Sequence, residues 1–181
     1  MYQVPNMVLI PQDNNNACWY ASAQMVVSWR RNADAMSSAG LRGPGQVSTF
    51  AAAHAANNGL QWAQMRSFGR QLGLRELPLM SPSATTLEEW LTHYGPLWTD
   101  GVPVNAAGTV VGTGHVVVVA GIRPGTFAGE HIDLKIYDPW PPNVGNVRWR
   151  PGSHLSLISA GVAESSIRNI NFLVAQPQWW G

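Results

Sequence analysis

Gly95-Pro96 divides the chain into two stretches of different periodicity, and this division restricts the fold more than any other feature of the sequence. Before it, apolar residues recur at helical spacing; after it, β-branched runs alternate with turn residues. From Ala17 to about Arg31, Ala21, Met25, Val26 and Trp29 follow a helical period without Gly or Pro, which predicts a helix with Cys18 in its first turn. Ser48 to Asn57 reads as a second helix stopped by Asn58-Gly59, and Gln61 to Leu72 as a third ended by Gly73. A fourth is predicted from Thr86 to Tyr94, with Thr85 or Thr86 as its cap and Gly95-Pro96 as its stop. Strands are predicted at Leu97 to Asp100, His115 to Ile122, Ile132 to Tyr137, Asn146 to Arg150 and Ile170 to Ala175. Helices first and strands second indicate an α+β protein, an N-terminal helical lobe packed on a C-terminal antiparallel β-sheet.

At 181 residues the chain has the length of one functional unit, with a helical lobe over about 12–95 and a β lobe over about 96–176. Net charge is +1, from 11 Lys+Arg against 10 Asp+Glu, and no basic run stands out, so the footprint of a nucleic-acid binder is missing. The apolar run Val116 to Ala120 falls far short of the ~20 residues of a membrane span. Met1 to Ile10 has no basic start and is broken by Pro5 and Asn6, unlike a cleavable secretory signal.

A single cysteine excludes an intramolecular disulfide and zinc sites built on several thiolates. The histidines show no helix-face pair with an adjacent acid, so neither a metal nor another cofactor is expected. His54 on an Ala-rich helix face, His93 near a helix end, and His131 and His154 in turns take structural readings.

A lone cysteine is ordinarily a small buried hydrophobe. Cys18 departs from that reading because a helix start, with unpaired N–H groups and the positive end of the dipole, favours a thiolate, the nucleophilic form of a thiol. Gln12 lies six residues earlier in the loop that enters the helix, where its amide can fold back beside the sulfur and donate to an oxyanion. Trp19 follows Cys18 directly and reads as a shield for the site or as a core residue.

Gln12-Asp13-Asn14-Asn15-Asn16-Ala17-Cys18-Trp19 resembles the active-site segment of papain-like cysteine proteases, a glutamine, five residues, then Cys-Trp at the head of the central helix. The family's fuller signature has Gly-Ser-Cys around the nucleophile and a disulfide-forming cysteine just before it. Here those positions are Asn and Ala, so the lysosomal and plant enzymes are distant relatives.

In the second half, only His115 among the histidines opens a strand, Gly114-His115-Val116-Val117-Val118-Val119, and a base at that position is held rigidly at the sheet's edge. Asp138 directly follows the next predicted strand, before Pro139-Trp140, where an acid fixes the tautomer of the histidine or merely starts a turn. The order Cys, His on a strand, Asp before Pro-Trp is similar to bacterial papain-like families, including effector proteases injected into host cells and peptidase domains that trim bacteriocin leaders.

The resemblance implies Cys18 as nucleophile, His115 as base, Asp138 as its orienting acid and Gln12 as oxyanion donor. It implies peptide-bond hydrolysis by a bacterial effector or toxin, cytoplasmic before export by a dedicated secretion system and active in a target cell. Its partners would be a protein or peptide substrate and a cognate immunity or inhibitor protein. The same thiolate chemistry serves deamidases, transglutaminases and cell-wall peptide amidases, and a binding module on an inactive papain fold is the reading from a different class.

Overall fold

A computed structural model describes residues 1–34, 38–77, 82–101, 114–126, 129, 131–152 and 172–174. Its helices are α1 (Cys18–Ala33), α2 (Ser48–Ala55), α3 (Met65–Leu72) and α4 (Ala84–Tyr94), with short 3₁₀ turns at Pro44–Gln46 and Trp62–Gln64. Its strands are β1 (Tyr2–Gln3), β2 (Arg75–Glu76), β3 (Leu97–Gly101), β4 (His115–Pro124), β5 (Ile132–Asp138), β6 (Asn146–Pro151) and β7 (Phe172–Val174). The protein is α+β, with the helices preceding the main run of antiparallel strands. Among the described residues, no helix is long and apolar enough to cross a membrane.

α1 is buried along most of its length, through Trp19, Ala21, Ala23, Met25, Val26 and Val27. Arg30 and Arg31 in its last turn complement the helix dipole. Arg30 Nη2 also donates to the carbonyl of Tyr94 at 2.7 Å, tying the end of α1 to the end of α4. Trp19 meets Phe68 edge-on at 5.3 Å and Phe50 at 6.2 Å, and Phe68 lies 6.0 Å from Trp98, so one aromatic cluster joins α1, α2, α3 and β3.

Three boundaries differ from the sequence reading for physical reasons. The cap of α4 is Ser83, whose Oγ accepts the Thr86 N–H at 3.1 Å; Thr85 and Thr86 are already inside the helix. α3 begins at Met65, because Trp62–Gln64 winds as a 3₁₀ turn first. α2 ends before Asn58-Gly59: Asn57 takes a left-handed conformation (φ 54), its N–H bonds to His54 O and the Asn58 N–H reaches Ala53 O. That is a Schellman closure with asparagine in the usual glycine place. The stop at Gly95 is as read: φ is +81, and a Cβ there would sit 2.2 Å from the Trp29 ring.

The strand order is β2-β7-β3-β4-β5-β6, all pairs antiparallel, and β1 pairs with the outer half of β4 at Tyr2↔Ile122. β4 is the central strand, buried continuously from Val116 to Ile122. Of the strand predicted from Ile170 to Ala175, Phe172–Val174 is observed; residues 170, 171 and 175 lie outside the described residues, as does His154.

Candidate active site

Cys18 is the first residue of α1, and Ala17, the cap position before it, supplies no side-chain hydrogen bond. The amides of the first turn are therefore not occupied by a capping side chain, which suits a site that must hold negative charge. Two buried bonds fix the helix against the sheet: Ser22 Oγ donates to Val116 O at 3.3 Å and Trp98 Nε1 donates to Trp19 O at 3.1 Å. Ser22 lies one turn beyond Cys18 and Val116 follows His115, so the first bond sets the nucleophile's helix against the histidine's strand.

β4 begins at His115 and its antiparallel neighbour β5 ends at Asp138, so both side chains emerge at one edge of the sheet. His115 Nε2 and Asp138 Oδ1 are 2.8 Å apart. Cys18 lines the same cleft as His115 and is one of the two groups whose interaction raises the pKa of its ring; Nδ1 is the ring nitrogen that Asp138 leaves free for it. The structure thus brings Cys18, His115 and Asp138 together. Asp138 Oδ1 in addition accepts the Trp140 N–H at 2.9 Å, so the acid both starts a turn and holds the histidine, readings that the sequence set against each other.

Burial alone would lower the His115 pKa, but hydrogen bonds to Asp138 and Cys18, with the charges of both, outweigh it and raise it to about 10. The imidazolium is thereby favoured across neutral pH. Burial pushes the Asp138 carboxyl up, and it is overcome by the His115 hydrogen bond and charge, the Trp140 N–H and the Arg148 guanidinium, which hold it below its ordinary range.

These groups line a cleft of about 840 Å³ whose walls include Asn15, Asn16, Leu60, Met65, Asp100 and Trp140. Gln12 belongs to the same loop but is buried, 1% exposed, and is not among the lining residues. Its Nε2 donates to Asn14 O at 2.6 Å, and its Oε1 has no partner among the described residues. Its backbone pairs with Pro139 O and the Asn143 N–H, which joins the loop before Cys18 to the turn after Asp138. Trp19 is buried among Phe50 and Phe68, with an edge on the cleft.

Sequence reasoning missed Ser22, Arg148 and Asn57, which carry no individual signal because their partners lie on other elements. His54 is not an isolated helix-face residue: its Nε2 is 2.8 Å from Asp13 Oδ1 and its ring stacks on Tyr20 at 3.9 Å. Among the described residues, no three His, Cys, Asp or Glu side chains gather into a group able to hold a metal ion.

A cysteine at the start of a buried helix, set against a histidine at the start of an antiparallel strand, is how papain-like cysteine peptidases are built, and this enzyme is of that class. The family model described as papain-like cysteine protease AvrRpt2 matches residues 1–148, and the chain belongs to that family. The matched span contains Gln12, Cys18, His115 and Asp138. No curated protein matches the chain.

Proposed function

We propose that this cysteine protease cleaves peptide bonds through a Cys18–His115–Asp138 triad, as one catalytic unit in which the helical and β lobes each contribute part of the site. The single observation that carries the reading is the position of His115, paired with Asp138 at 2.8 Å and sharing one cleft with Cys18 at the start of α1. Cys18 Sγ, as thiolate beside the imidazolium, attacks the substrate carbonyl carbon, and the carbonyl oxygen takes the negative charge. The second Gln12 amide hydrogen and the uncapped amides of α1 are the donors proposed for that oxyanion. His115 then gives its proton to the leaving amine, leaving a thioester on Cys18, and later takes a proton from the water that hydrolyses it. Asp138 aims the ring and holds its charge throughout.

The proposed setting is that of an effector or toxin of a bacterium, exported by a dedicated secretion system and acting on proteins inside a target cell. A cognate immunity or inhibitor protein would then occlude the cleft in the producer. The same thiolate would attack a glutamine carboxamide in a deamidase, and mass spectrometry separates the two chemistries. A target-cell proteome exposed to wild type is expected to gain new peptide termini that are absent with Cys18→Ala. Deamidation mass shifts without new termini would overturn the protease reading.

A further inference from the structure

The loop that carries Gln12 and leads to Cys18 is held from outside by the end of α2, across about forty residues of sequence. The Asn16 N–H donates to Asn57 Oδ1 at 3.1 Å and Asn16 Nδ2 to Asn57 O at 2.9 Å. Asn14 Nδ2 reaches His54 O at 3.4 Å, His54 Nε2 pairs with Asp13 Oδ1 at 2.8 Å, and Trp19 Nε1 donates to Asn58 O at 3.2 Å. The His54 ring stacks on Tyr20 at 3.9 Å, with 13° between the two ring planes. Residues 13, 14, 16, 19 and 20 are therefore all held by residues 54–58.

Helix α1 has no cap of its own, since Ala17 offers no side-chain acceptor. Orientation of its first turn must come from elsewhere, and the Schellman closure of α2 supplies a fixed point for it. We infer that His54 and Asn57 are positioning residues for catalysis: they clamp the asparagine loop so that the oxyanion donors stand correctly against Cys18. The inference rests on the roles proposed above for Cys18 and Gln12. The clamp has a separable function, because attack by Cys18 on an alkyl halide develops no oxyanion and so does not need the loop in register, whereas amide hydrolysis does.

Asn57→Gly is the cleanest probe. Glycine keeps the left-handed backbone and the carbonyl that accepts from Asn16 Nδ2, and removes the nearer of the two acceptors of the Asn16 N–H, leaving Asn14 Oδ1 at 3.3 Å within the loop itself. His54→Phe keeps the stack on Tyr20 and removes the pairing with Asp13. The measurements use a quenched-fluorescence peptide selected from a random library by wild type, together with iodoacetamide labelling of Cys18. Each variant is expected to lose about tenfold in kcat with KM, melting temperature and labelling rate close to wild type. Asn57→Asp, which retains the acceptor, is expected to restore kcat. Wild-type kcat in both Asn57→Gly and His54→Phe, or a loss of kcat matched by equal losses in labelling and melting temperature, would overturn the clamp. Cys18→Ala run alongside separates the two levels: if it is inactive while Asn57→Gly is wild type, only the clamp fails, and if it remains active, the site reading itself fails.

Discussion

Cys18→Ala is expected to be folded and inactive, with turnover of the selected peptide reduced on the order of 10⁵- to 10⁶-fold, as when a catalytic nucleophile is removed from a comparable triad. The change deletes one partly exposed sulfur at the first position of α1, where alanine is an excellent helix residue. The cost in stability is expected to be about 1 kcal/mol or less, the scale of one small apolar group. His115 and Asp138 would keep their 2.8 Å contact, so the remaining site is intact and the loss belongs to the nucleophile. Combining Cys18→Ala with His115→Ala should add nothing further, because residues that act as a unit fail together. Circular dichroism and a peptide-cleavage assay measure both halves of this expectation.

Gln12→Ala is expected to lower kcat by about 10²- to 10³-fold with little change in KM, the usual cost of one oxyanion donor. The structural basis is that Nε2 gives one hydrogen to Asn14 O and has a second, while the oxygen of the amide is buried without a partner among the described residues. A side chain 1% exposed that uses one of its four hydrogen-bonding positions is a costly arrangement for packing alone. The main-chain bonds of Gln12 to Pro139 and Asn143 survive the substitution, so the two loops stay joined. A melting curve taken with the kinetics separates lost catalysis from lost structure. Activity within about twofold of wild type would leave the oxyanion to the amides of α1 alone.

The elements that position the site were legible because their signals are local. α1 and β4 are long, apolar and periodic, and Cys18 and His115 fall at their starts, where sequence already marks a boundary. Asp138 was legible as the acid directly after a predicted strand and before Pro-Trp, and the structure extends that strand to include it. What escaped was made by pairing at a distance. β1 and β2 are two residues long and exist through ladders to β4 and β7, with no period of their own. The clamp escaped for the same reason: Asn14, Asn16, Asn57 and Asn58 read as two turn-forming clusters, and only the fold sets one against the other. Ser83 was passed over for Thr85 or Thr86 because three hydroxyl residues near one helix start offer equivalent signals, and the backbone decides which is the cap.

The pairing of Cys18, His115 and Asp138 is tested most directly by titrating the His115 ring, followed by NMR of protein labelled at histidine. A group raised from 6.5 to about 10 in the folded protein keeps its proton through neutral pH and releases it only as the pH rises through about 10. Asp138→Ala removes one hydrogen bond and one negative charge from the ring, so its midpoint is expected to move down. Cys18→Ala removes the other partner and is expected to do the same. A ring that stays protonated through neutral pH in wild type and titrates at lower pH in both variants is the predicted result. Titration near the ordinary value of 6.5 in wild type, unchanged by either substitution, would contradict a catalytic unit built on these three residues.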